Sequence, residues 1–292
     1  MLREETNKAY MEKIEEELLE TIAGDNVRTG AYNIRKNGKG VERQITENVK
    51  IETKKDGTGI DIYVKENTKF EIVHIPVIIT QSGLKDVVYN DFYIGKNANV
   101  VIVAGCGIHN DEHNDSQHDG IHRFFLEEGA KVRYYEKHYG EGKGDGKRIL
   151  NPVTEVELKE GATLEMESVQ IKGVDSTIRE TRGKVYKDGN LVVTEKILTA
   201  GTELAKTVFD VDLEEEGASV KVTSRSVATE NSKQQFESKI VGNTKCFGHV
   251  ECDAIIKDNA KVTAIPEIIA NNVDANLIHE AAIGKIAGEQ LI

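Results

Sequence analysis

The sequence predicts an all-β protein wound as a parallel β-helix, a solenoid core with short helical segments at the N- and C-terminal ends. Three observations carry this. Val, Ile and Thr recur throughout, Gly is frequent at 26 of 292 residues, Pro is down to three and Trp is absent, which favours strands and tight turns over helices. Short apolar runs such as Ile60-Asp-Ile-Tyr-Val64, Phe70–Ile79 and Val100–Ala104 are broken by Gly, Asn and Asp. Finally, a phrase that places a polar turn before a strand recurs: Lys96-Asn-Ala-Asn-Val, Glu128-Gly-Ala-Lys-Val, Glu160-Gly-Ala-Thr-Leu, Asp188-Gly-Asn-Leu-Val, Glu216-Gly-Ala-Ser-Val and Asn259-Ala-Lys-Val.

The third residue of that phrase falls at 98, 130, 162, 190 and 218, in steps of 32, 32, 28 and 28, before a longer jump to Ala260. Periods of this size mean a stacked array, in which each unit buries its apolar face only against the next. A small residue after the turn lets successive coils approach closely. A propeller needs four strands per blade and a longer period, and helical repeats do not suit the β-rich composition.

Residues 2–22 read differently. They are rich in Glu and Lys, with Tyr10, Met11, Ile14, Leu18 and Leu19 at helix-compatible spacing, and predict an amphipathic helix ending near Gly24. The expected organisation is a helical segment over 1–28, a β-helix core over 29–270 and an abbreviated helical segment over 271–292.

The net charge of −12 argues against nucleic acid and anionic membrane surfaces, because phosphate binding needs a basic patch. The first ten residues lack the apolar centre of a signal peptide, and no apolar run approaches the ~20 residues of a membrane span. Three cysteines without a CxxC fit a reducing cytoplasm better than a disulfide framework. A Cys246–Cys252 disulfide requires a bulge or turn at Phe247-Gly248, since six residues of extended strand span about 20 Å.

The last fifty residues carry the sharpest pattern: Glu-Cys252-Asp, Ile-Pro266-Glu, His279-Glu280-Ala, and Gly284-Lys-Ile followed by Glu289-Gln290-Leu291. In order and spacing this resembles the C-terminal core of the SufB/SufD family, scaffold subunits of the Suf machinery for iron–sulfur cluster assembly. The likeness is strongest from about Ser224 to the end and continues in style back to about Thr29. It implies a right-handed β-helix core flanked by helical segments. It also implies that Cys252, His279 and Glu280 lie at a subunit interface where nascent cluster forms. The chemistry agrees. Thiolate is the usual ligand of iron–sulfur clusters, imidazole its nitrogen substitute, and carboxylate a harder, more exchangeable donor. One of each makes a poor permanent cage and a plausible site for a cluster that must leave. Taken singly, Cys252 reads as a small buried hydrophobe, His279 as a hydrogen-bonded structural histidine and Glu280 as a solvated carboxylate. His249, three residues before Cys252, is near enough in sequence to tune its thiolate.

A second constellation is Cys106, His109, His113, His118 and His122, with four of the eight histidines inside fourteen residues among several carboxylates. Imidazole suits Fe, Zn, Cu and Ni, so the run reads as a metal or nascent-cluster site on an exposed loop between strands at Val100–Ala104 and Phe124–Leu126. Its spacing matches no standard zinc module. The plain alternative is a polar loop whose histidines pair with Asp111, Asp115 and Asp119. The resemblance assigns this run no role.

The leading expectation is a scaffold that collects iron and sulfide and hands on a cluster. No phosphate-binding G-x-x-x-x-G-K-[ST] run is present, so the resemblance implies ATP hydrolysis on a separate SufC-like, ABC-type ATPase. One chain carries both the cysteine and the His-Glu pair, which predicts a homodimer, with a second SufB/SufD-like chain as the other pairing. A sulfur donor and apo-protein recipients are further partners. Two rivals stand beside this reading. One is a β-helix hydrolase or lyase with metal at the His109–His122 run. The other is a cofactor-free, SufD-like structural partner whose assembly activity Cys252→Ala would leave unchanged.

Overall fold

The computed structural model describes residues 2–286, with side chains described from residue 12. After α1 (Leu2–Ala23) the described chain is strands and turns. The first coils comprise β1 (Ala31–Lys36), β2 (Lys39–Gln44), β3 (Val49–Thr53), β4 (Gly59–Val64), β5 (Glu71–Ile79), β6 (Lys85–Ile94) and β7 (Asn99–His109). The middle comprises β8 (Ser116–Leu126), β9 (Lys131–Glu141), β10 (Arg148–Leu150), β11 (Val153–Leu158), β12 (Thr163–Gln170), β13 (Ser176–Val185) and β14 (Asn190–Thr199). The final coils comprise β15 (Leu204–Leu213), β16 (Ser219–Ala228), β17 (Lys233–Gly242), β18 (Phe247–Ile256), β19 (Lys261–Ala270) and β20 (Asn276–Lys285).

Alternate strands build two facing sheets. One runs β2-β1-β5-β7-β9-β12-β14-β16-β18-β20. The other runs β19-β17-β15-β13-β10-β8-β6-β4-β3, with β11 continuing the β10 rung between β8 and β13. Apart from the antiparallel pairs β1–β2 and β3–β4, the pairings are parallel, giving a β-solenoid of about eight turns. Side chains alternate across each strand, so every second residue points into the space between the sheets. There Phe92 and Phe124 stack with centroids 4.5 Å apart, and Val, Ile and Leu ladders fill the rest. Each such side chain, fully buried, contributes roughly 1.5–3 kcal/mol.

Five of the six recurring phrases form one corner of successive coils. Asn97, Gly129, Gly161, Asp188 and Gly217 all have positive φ, the left-handed turn that Gly and Asn accept most readily. The strand registers place the following residues in a single column: Ala98, Ala130, Ala162, Gly189, Ala218, Cys246 and Ala275. Two details differ from the sequence expectation. Gly189, not Asn190, holds the small-residue position of its coil. Ala260 belongs to the opposite corner, where it stacks on Ser232.

α1 covers the outer face of the first sheet, as its apolar spacing predicts. Ile14, Leu18 and Ile22 pack on Ile78, and Leu19 packs on Val27 and Ile34. Two glycines of β7 admit it: a Cβ at Gly105 would lie 2.5 Å from the Ile22 carbonyl oxygen, and one at Gly107 3.2 Å from Leu18 Cδ2. The C-terminal helical expectation is corrected. Asn276–Lys285 is a strand, because its parallel pairing with β18 adds one more rung to an existing sheet. Glu289-Gln290-Leu291 lie outside the described residues.

Candidate functional site

Cys252 and His279 meet through strand register. In β18, Gly248, Val250, Cys252 and Ala254 point inward, while His249, Glu251 and Asp253 point outward. β20 pairs Ala281 with Cys252 and His279 with Val250, so His279 also faces the interior, two residues out of step with Cys252. Strand spacing and rise put the two Cα atoms about 8 Å apart. Glu280 points to the outer face, where its Oε2 lies 3.3 Å from His249 Nε2. The three expected residues are therefore divided by the sheet, and His249 is on the wrong side of it to act on Cys252.

Cys252 is 1% exposed, and burial pushes its thiol up to about 11, with Glu195 and Asp253 adding to the effect. A metal binds the thiolate, so loading this cysteine releases a proton. His279 Nε2 is shielded from solvent and has no hydrogen-bond partner. Burial, then the neighbouring His249, lowers its pKa and keeps the ring neutral, the ligating form. An orphaned buried nitrogen costs about 1–3 kcal/mol, which a metal bond would offset. Among the described residues, no three His, Cys, Asp or Glu side chains converge to hold a metal ion. One chain thus brings two donors, Cys252 and His279, to this end of the solenoid.

Behind Cys252 runs a buried polar column absent from the sequence reading. Glu136, Ser168, Glu195, Ser224 and Cys252 occupy successive rungs of one sheet, all facing inward. Ser224 Oγ donates to Glu195 at 2.8 Å and Thr207 Oγ1 at 2.7 Å. Arg179, from the facing sheet, pairs with Glu136 and holds its Nε 3.6 Å from Glu195. Burial alone would raise the Glu136 carboxyl, but Arg179 and His138 hold it well below the ordinary range. The sequence does carry a signal for this: Glu195 stands in phase with the inward-facing Leu191, Val193 and Ile197.

The histidine run does not form an exposed loop. β7 continues to His109 and β8 begins at Ser116, leaving a short link. Cys106, His118 and His122 face inward and are buried, because period-two alternation extends through them; His113 alone is on the surface, paired with Asp145. His109 Nδ1 lies 3.3 Å from Glu141. His118 Nδ1 is 3.0 Å from Asp86, which Arg35 also grips with two bonds of 2.6 and 2.9 Å. Burial would raise the Asp86 carboxyl, yet these two partners hold it well below the usual range. His122 bonds the Tyr134 hydroxyl at 2.6 Å, and burial pushes its pKa down to about 4. Cys106, His118, His122, Glu136 and His138 surround a cavity of about 20 Å³, room for one water. A Cβ on Gly120 would lie 3.2 Å from the Nε2 atoms of both His118 and His122.

With this geometry in place, comparison with known proteins is decisive. The family described as "SUF system FeS cluster assembly, SufBD core domain" matches residues 108–258, just over half of the chain. The chain belongs to the SufB/SufD family. The match includes Cys252, the histidines of β8 and the whole buried column, and it stops before His279 and Glu280. Among curated SufBD family proteins, MJ0034 of Methanocaldococcus jannaschii is 27% identical over 75% of this chain and 69% of its own length. PH0883 of Pyrococcus horikoshii is 25% identical over 88% of this chain and 72% of its own length. A Methanothermobacter thermautotrophicus relative is 24% identical over 74% of this chain and 52% of its own length, so the chain spans between half and about 70% of these relatives. SufB/SufD membership places the chain in iron–sulfur cluster assembly. No described helix is long and apolar enough to cross a membrane.

Proposed function

We propose that this SufB/SufD protein is the scaffold on which nascent iron–sulfur cluster, its cargo, is assembled at the last coil of the solenoid. The observation that supports it is the pairing of a buried thiol, Cys252, with the partner-free imidazole nitrogen of His279 on one interior face. Cluster sites commonly use four ligands, and one chain supplies two here. Among the described residues β19 and β20 are the outermost strands of their sheets, with unpaired outer edges, and Ile265 and Ile278 on them are exposed. In this reading two copies meet edge to edge at a self-complementary contact, each contributing Cys252 and His279, while Glu280 serves at the rim as an exchangeable carboxylate.

The scaffold performs no turnover of its own. Release is driven by a SufC-like ABC-type ATPase, sulfur arrives from a donor protein, and finished cluster passes to apo-protein recipients in the cytoplasm. Iron and acid-labile sulfide per chain after anoxic reconstitution test the proposal: no cluster on the wild type would leave the protein as a cofactor-free structural partner, and cluster retained by Cys252→Ala would place the site elsewhere.

A further inference from the structure

At the end of the solenoid opposite Cys252, the first coil forms a half-open cavity of about 480 Å³, bounded by β1, the β1–β2 hairpin and parts of β3 to β6. Its apolar lining comes from Ile60, Ile75, Val77 and Val88, and its polar lining includes the buried Asn33 and Asn90. The chain carries a net charge of −12, yet three of the four charged residues lining this cavity are cations: Arg35, Lys39 and Arg43, against Glu42.

Glu42 is already occupied, since its two oxygens accept from Arg28 at 3.0 and 3.1 Å. Arg35 commits Nε and Nη2 to Asp86, leaving Nη1. Arg43 is in a different position. Its Nε donates to Asn33 Oδ1 at 2.9 Å and its Nη2 to Thr53 Oγ1 at 3.1 Å, both neutral oxygens. Among the described residues no carboxylate lies within ion-pair distance of it. A guanidinium stays charged at every accessible pH, and its planar fork matches phosphate or carboxylate oxygens. Here two neutral acceptors fix the orientation of the fork while its charge and Nη1 stay unmatched. A cleft of this size, with apolar walls and a few convergent polar donors, is a usual form of a small-molecule site.

We infer that this cavity binds a small phosphate-bearing ligand, anchored by Arg43, with Arg35 Nη1 and Lys39 as further donors. The site is separate from the cluster site and does not rest on the scaffold reading.

Isothermal titration of the full chain with inorganic phosphate and with ADP, in chloride buffers of matched ionic strength, tests it. The variants are Arg43→Gln and Val41→Glu, the second placing a carboxylate in the exposed cavity wall without touching Arg43; circular dichroism reports folding. Saturable binding that weakens about tenfold or more in each folded variant is expected, from the strength of a charge-assisted bond. Binding of phosphate alone identifies the free ion, and tighter binding of ADP identifies a phosphate ester. Absence of saturable binding of either probe overturns the proposal, as does binding that a folded variant leaves unchanged, which would reduce Arg43 to a clamp between β2 and its neighbours.

Discussion

Cys252 and His279 lie on neighbouring parallel strands, offset by two residues and turned to the same interior face, so a ligand that reaches one is within reach of the other. Glu280, the next residue after His279, is turned away to the outer face beside His249. The proposed cluster site depends on the last coil being open to a partner.

The proposed dimer follows from two donors per chain and two open strand edges. Size-exclusion chromatography with light scattering should give twice the chain mass. Ile278→Asp, on the exposed edge strand β20, should shift the protein to monomer with its circular dichroism intact. A wild-type monomer, with the ATPase present as well as without it, would remove the interfacial site.

Cys246 and Cys252 lie on either side of Phe247 in the same sheet segment but differ in role. Cys246 stands in the corner column of small residues, between Ala218 and Ala275. Cys246→Ala should therefore leave cluster loading and the urea midpoint close to wild type, whereas Cys246→Leu should overfill the corner and cost about 1–3 kcal/mol. Loss of cluster in Cys246→Ala would add Cys246 to the ligand set.

The buried charges behind Cys252 are interdependent. Arg179→Met leaves Glu136 and Glu195 in the interior without their cation, and urea unfolding at pH 7 should show a loss of about 3–5 kcal/mol. Glu136→Gln in the same chain should recover part of it. A loss below about 1 kcal/mol would mean that water reaches these carboxylates.

Acid sensitivity should trace to His122. Its ring titrates near 4 in the folded chain against 6.5 for an ordinary histidine, because it is buried. Between those values the unfolded chain alone takes up the proton, so the stability is complete above about pH 6.5 and falls as the pH drops towards 4. The contribution lost at pH 5 is about 2 kcal/mol. His138 and His74 are displaced in the same direction by burial, which steepens the fall. Urea midpoints at pH 7 and 5 should differ accordingly, and His122→Gln should reduce the difference.

Much of the fold was legible because a solenoid repeats its constraints. A left-handed turn followed by Ala or Gly recurs at five successive coils, from Asn97-Ala98 and Gly129-Ala130 to Gly217-Ala218, and announces the architecture in the sequence. The one-residue slip at Gly189 arose because Asp188 takes the left-handed position that Gly fills in its neighbours. The C-terminal strand was hidden because Ala281, Ala282 and Gly284 have little strand preference of their own; pairing with β18 decides their conformation. At the candidate site, the sequence singles out Cys252, His279 and Glu280 together, but the face each residue occupies depends on register, which parity along a single strand does not give. His118 and His122 looked like loop residues because polar side chains seldom point into a core. They do so here because Asp86, Tyr134 and Asn90 from facing or adjacent strands satisfy them.

The most direct measurement is iron and acid-labile sulfide per chain after anoxic reconstitution of wild type, Cys252→Ala and His279→Ala side by side. Matched iron and sulfide in wild type, with both falling severalfold in each variant, is the predicted result. Iron without sulfide, or a cluster that both variants retain, would contradict a scaffold site at Cys252 and His279.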